Sequence, residues 1–114
     1  MEINKKKNMS ADIIEISGKL DRMGSQKAQE TIISAIPKDG KLILDLADCD
    51  YVSSAGLRVL LIAANQSEMA NCRMVVTGIQ PAIWEILVMT GFENVLETYP
   101  SQEDALKALE DDKG

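Results

Sequence analysis

Residues 42–61, LILDLADCDYVSSAGLRVLL, limit the possible folds more than any other part of the chain. Residues 42–46 are almost continuously apolar over a strand's length, the pattern of a strand covered on both faces. A short polar loop follows. From Ser54 onward Leu57, Leu60, Leu61 and Ala64 recur at helical spacing, while Val59, Ile62 and Ala63 widen the stripe. That predicts a largely buried helix over about residues 54–69. A second strand at residues 72–77, with RMVVT at its heart, completes a βαβ unit.

The flanking segments extend this unit. Residues 11–17 alternate in polarity and suit a strand paired as a hairpin with the polar leader. Ala28, Ile32, Ile33 and Ile36 place an amphipathic helix over about 25–36, ending before Pro37, which continues a helix poorly. Lys38, Asp39 and Gly40 turn the chain into the central strand, residues 41–46. Past Gly78, Pro81 marks the first turn of a third helix and Gly91 its stop. Residues 95–98 suit a short strand, and Ser101 with Asp104 opens a last helix carrying Ala105, Leu106 and Leu109. The resulting order, β-β-α-β-α-β-α-β-α, implies an α/β fold. Its mixed central sheet has four to five strands, with about four helices mainly on one side. A single domain over residues 1–114 is expected, flexible from about residue 110, with no internal repeat or linker.

Composition narrows the function classes. With 114 residues there is room for one core and not for two lobes around a cleft. A formal net charge of −6 disfavours nucleic acid phosphates as a partner, and Lys5, Lys6 and Lys7 read as a solvated terminal strand or tail. No apolar run is long enough to span a bilayer, so a cytoplasmic protein is expected. Two widely spaced cysteines, Cys49 and Cys72, and no histidine support neither a zinc cluster nor a disulfide framework, nor a Ser-His or Cys-His nucleophile. Both thiols are expected to be reduced and structural. No cofactor, metal or catalytic residue is expected, and no G-x-x-x-x-G-K-S/T phosphate loop is present.

What remains is the pair Ser53 and Ser54 at a helix start. Backbone N–H groups there lack intrahelical partners, so a serine caps them well, and the helix dipole accommodates an added anion. An ordinary cap is the simplest local reading. A division of labour is also open, with Ser53 capping and Ser54 facing outward, and an exposed Ser54 is the expectation. Asp21 and Ser54 each follow a strand and precede a helix, so right-handed crossovers should bring both to one edge of the sheet. Asp48 and Asp50 read as solvated turn acids, Asp50 beside the serines. Met23, Met89 and Phe92 lie near helix ends, where exposed apolar side chains would offer adaptable partner contacts, although core packing is the simpler reading of each; Trp84 is expected as core or its half-exposed cover.

These letters resemble the signature of the STAS domain, most closely that of single-domain bacterial anti-sigma factor antagonists, whose motif reads roughly D-S-S/T-G-L-G after a buried strand. Here the corresponding residues are Ser53, Ser54, Ala55, Gly56, Leu57 and Arg58. SGKLD, with Gly18, Leu20 and Asp21, resembles the family's G-x-L/I-D turn. Pro81 and Gly91 fall in a segment similar to S-P-x-V-x-R-L-F-x-x-x-G-L, so almost the whole length is covered. Two departures stand out: Ser53 replaces the motif's Asp, and Arg58 replaces its second Gly.

The resemblance implies a binding switch and not an enzyme. Its expected phosphorylation site is Ser54, with Ser53 as the alternative. Its expected partner-binding set is Asp21, Asp50, Ser53, Ser54, Gly56, Leu57 and Arg58. The implied partners are a serine kinase that doubles as an anti-sigma factor and a PP2C-type phosphatase, with the protein a monomer or weak dimer. The alternative is a STAS scaffold component of a stressosome-like or receptor-linked assembly.

Overall fold

The computed structural model describes residues 1–111. Its strands are β1 (Glu2–Lys7), β2 (Asp12–Leu20), β3 (Lys41–Asp45), β4 (Cys49–Val52), β5 (Arg73–Thr77) and β6 (Glu97–Tyr99). Its helices are α1 (Arg22–Ala35), α2 (Ser54–Met69), α3 (Pro81–Thr90) and α4 (Gln102–Glu110), with a 3₁₀ turn at Phe92–Asn94. The sheet runs β1-β2-β3-β5-β6, antiparallel only between β1 and β2, and β4 pairs with β2 in parallel off this path.

Strand alternation divides the apolar side chains between the two faces of the sheet. Ile14, Ile16, Leu42, Leu44 and Val76 point to one face, where Ala28 and Ile32 of α1, Leu60 and Ala63 of α2, and Ile83 and Leu87 of α3 cover them. Ile13, Ile43 and Val75 point to the other, beneath Ala105 and Leu109 of α4. Three helices on one face and one on the other match the expected asymmetry. β3 lies between β2 and β5 and is buried on both faces, as its continuous apolar run requires; each fully buried Leu or Ile there contributes about 1.5–3 kcal/mol. At the sheet edge, Lys5, Lys6 and Lys7 of β1 are exposed, a charged row that discourages pairing with another chain.

The helix boundaries follow local chemistry. Pro81 stands at the first position of α3, and Gly91 closes that helix in the left-handed region at φ 78°. Ser101 accepts from the backbone N–H of Asp104 and caps α4. α1 starts three residues earlier than its apolar spacing predicts, because Asp21 caps it by accepting from the N–H groups of Met23 and Gly24, both at 3.1 Å. β6 starts at Glu97, since Val95 is taken up in closing the 3₁₀ turn through its N–H to Phe92.

Two further expectations change. The sheet has a sixth strand, β4, where the sequence predicts only a polar loop. CDYV carries no long apolar run, and it is held by pairing with the end of β2. Met23 and Met89 do not pack in the core but stand 91% and 85% exposed, while Phe92 packs against the core's rim. Residues 112–114 of the expected flexible end lie outside the described residues. Cys49 and Cys72 are buried and unpaired with each other, and burial pushes both thiols up, Cys72 to about 11.

Candidate functional site

β2 is long enough to serve two partners on the same side. Its first part pairs with β3, and from Gly18 onward its end pairs with β4, with a register shift between Gly18 and Lys19. Gly18 makes that departure at φ 86°, a backbone region that costs a residue with a Cβ about 1–2 kcal/mol. Leu20 and Val52 thereby become neighbours, and both chains leave the sheet at the same point. Asp21 then starts α1, and Ser53 starts α2. The Ser53 N–H donates to the Leu20 carbonyl at 3.0 Å, which ties the two exits together.

Gly56 makes this approach possible. A Cβ built there would lie 2.3 Å from the Leu20 carbonyl oxygen and 2.9 Å from Cγ1 of Val52. Only a hydrogen fits between α2 and the end of β2. Leu57 beside it is buried at 8% exposure. Gly56 and Leu57 therefore sit beneath the loop and support it, while the side chains that face solvent are others of the expected set.

The two serines have different roles. Ser53 Oγ accepts from the N–H of Gly56 at 3.2 Å and lies 3.4 Å from the Leu20 carbonyl, to which its hydroxyl donates; Ser53 is half-buried. Ser54, the first residue of α2, is exposed, and its hydroxyl has no hydrogen bond among the described residues. The structure thus matches the expected division between a capping and an outward-facing serine.

Around Ser54 the charges are mixed. Asp50 on β4 is exposed and meets Lys19 at 3.8 Å, and Lys19 also lies over the Tyr51 ring, 5.6 Å from its centre. Asp21 spends one carboxylate oxygen on capping α1. Arg58, one helical turn beyond Ser54, is exposed and forms no ion pair among the described residues. The Asp21 carboxylate offsets the positive end of α1, whereas α2 has a neutral serine cap and no acidic residue in its first turn, so its positive end is uncompensated.

Most of the expected set, Asp21, Asp50, Ser53, Ser54 and Arg58, thus gathers on one edge above Gly56 and Leu57. Asp48 lies earlier in the polar loop, exposed, and its carbonyl accepts from the N–H of Gly18. Two residues absent from the sequence-derived set belong to the same edge. Met23 in the first turn of α1 and the 47% exposed Tyr51 flank it with apolar surface. Tyr51 is legible as an aromatic residue in a polar stretch; the signal for Met23 is its place near a helix end, which leaves exposure open beside core packing. Among the described residues no cluster of His, Cys, Asp or Glu is arranged to hold a metal ion, and no helix is long and apolar enough to cross a membrane.

A mixed sheet, three helices on one face and a serine-bearing loop at the end of a split strand make up an α/β domain of STAS type. Residues 2–105 match the family model of the STAS domain, and the chain belongs to that family. BtrV of Bordetella bronchiseptica, whose name gives anti-sigma factor antagonist as a provisional assignment, is 27% identical over 95 residues, covering 82% of each chain. An anti-sigma factor antagonist from Mycobacterium paratuberculosis has the same fold at a TM-score of 0.86 and 21% identity, over 96% of this chain and 94% of that one. The Bacillus cell fate determinant SpoIIAA in its phosphorylated form aligns at a TM-score of 0.72 and 15% identity, over 95% and 99%.

Proposed function

We propose that this protein is an anti-sigma factor antagonist that works by partner switching, with Ser54 as its phosphorylation site. Unphosphorylated, it binds a serine kinase that is also an anti-sigma factor and so frees the sigma factor. The docking edge comprises Asp21, Asp50, Ser53, Ser54 and Arg58, with Gly56 and Leu57 holding it in shape. The kinase transfers the γ-phosphoryl group of ATP to Ser54 Oγ, forming an O–P bond as the bond to ADP breaks, and the hydroxyl proton passes to a base on the kinase. A PP2C-type phosphatase resets the switch, and the protein acts in the cytoplasm as substrate and not as enzyme.

The observation that carries this reading is the contrast between the serines: the Ser53 hydroxyl is committed to the helix cap, while that of Ser54 is exposed and has no hydrogen bond among the described residues. A phosphoryl group on Ser54 adds about −1.5 to −2 charge to a chain whose formal charge is already −6. A loss of about 1.4 kcal/mol weakens binding tenfold, so a local charge change suffices and no refolding is needed.

The test uses wild type, Ser54→Ala and Ser54→Asp as baits in lysate of the native host, with retained proteins identified by mass spectrometry. Wild type and Ser54→Ala should retain a small ATP-binding kinase and Ser54→Asp should not. Incubation of wild type with that kinase and ATP should place phosphate on Ser54. Equal retention of the kinase by all three would refute the switch. Retention of other STAS proteins or a receptor by all three, with no kinase, would put the scaffold role in its place.

A further inference from the structure

We propose that Arg58 is a built-in counter-ion for phosphorylated Ser54, an inference that rests on the modification of Ser54 proposed above. Ser54 and Arg58 are the first and fifth residues of α2, both exposed, and an i, i+4 pair lies on one face of a helix with about 5–6 Å between Cβ atoms. The order also fits: an anion placed N-terminal to its cation is the more favourable arrangement along a helix. Arg58 has no ion pair among the described residues, so forming this pair breaks none. A guanidinium presents a planar fork of donors that matches two phosphate oxygens.

Of the cations Lys19, Arg22 and Arg58, Arg58 is the one that shares a helix with Ser54. On β2 and β4, Lys19 and Asp50 face one another. At the start of α1 Asp21 is occupied as a cap, and Arg22 beside it is exposed but belongs to a different helix. The Ser53 hydroxyl already serves the Gly56 N–H. Phosphorylation therefore does two things at once: it introduces a dianion and withdraws a free cation from the docking edge. The phosphate is held against its own helix.

The test places phosphoserine at residue 54 during synthesis of the full chain and follows the second phosphate ionisation by phosphorus NMR. In the Arg58→Gln variant the midpoint should lie about 0.3–0.6 pH unit higher than in the otherwise native protein, with Arg58→Lys between them. The difference should shrink as salt is raised. Phosphoserine placed at residue 53 should not respond to Arg58→Gln. Identical midpoints with and without Arg58, or a midpoint moved only by Arg22→Gln, would overturn the assignment. Mass spectrometry of kinase-treated wild type separates the two ideas, since phosphate found elsewhere would defeat the Ser54 reading while the installed phosphate still decides the role of Arg58.

Discussion

Replacing Gly56 by alanine should destabilise the protein, although alanine is the better helix former by about 1 kcal/mol. The added Cβ would stand 2.3 Å from the Leu20 carbonyl oxygen, and the neighbour is backbone, which cannot rotate aside. An ordinary carbon–oxygen contact needs about 3.3 Å, so α2 and the end of β2 must part by about 1 Å. Overpacking of this kind costs about 1–3 kcal/mol, and stretching the Ser53 to Leu20 hydrogen bond, now 3.0 Å, adds about 1 kcal/mol. Subtracting the propensity gain leaves a net loss of about 2 kcal/mol. Urea unfolding followed by far-ultraviolet circular dichroism should show it directly. With a denaturant slope of about 1.5 kcal/mol/M, the midpoint should fall by roughly 1.3 M. A midpoint equal to or above that of wild type would show that the close approach of α2 to β2 does not constrain this position.

Gly91 offers a contrast, because it has φ 78° but no atom of the described residues within 4 Å of a built Cβ. Gly91→Ala should cost about 1 kcal/mol and Gly91→Asn clearly less, while Gly56→Asn should be no better than Gly56→Ala in the same urea assay. Ser53→Ala should lower stability by about 1 kcal/mol through loss of the cap, and Ser54→Ala should stay within about 0.5 kcal/mol of wild type. Glu15 is held below the usual carboxylate range, first by the Gln102 amide and then by Lys6 and Asn4. Its contribution is present above the unfolded value near 4.5 and is lost as pH falls through the depressed folded one, so Gln102→Ala should raise its midpoint in carbon-detected NMR. Cys72, with its thiol pushed up to about 11 by burial, keeps its proton in the folded state after the unfolded chain has lost it. Stability should therefore decline from about pH 9 to pH 11, less steeply in Cys72→Ala, when urea midpoints are measured across that range.

Where the determinants are local, the sequence shows them. β3 and α2 are written in their apolar spacing, Pro81 and Gly91 bound α3 by backbone chemistry, and Ser101 announces α4. β4 is hidden because nothing in CDYV asks for a strand; its pairing partner is the end of β2, and Leu20 and Ser53 lie 33 positions apart. The start of α1 is misplaced for a different reason: the determinant is the local Asp21 cap, and apolar spacing alone does not register a turn made of Arg22, Met23 and Gly24. Met23 and Met89 are misplaced because exposure depends on which helix face the tertiary packing leaves open. Both serines at the site were legible as cap candidates. Their separation into one committed and one free hydroxyl needed the Leu20 carbonyl and the Gly56 N–H in place.

The tie between Leu20 and Ser53 has a consequence for what a modifying enzyme can recognise. The presentation of Ser54 depends on β2, β4 and α2 being assembled, and a short peptide spanning residues 48–60 would contain the serine without the strand that positions it. A kinase that reads this edge reads a tertiary surface and not a linear stretch of residues. Phosphorylation would then count only folded molecules, and a nascent or damaged copy would be neither a partner nor a substrate. The switch would carry its own check on structural integrity, built into one hydrogen bond between two chain segments.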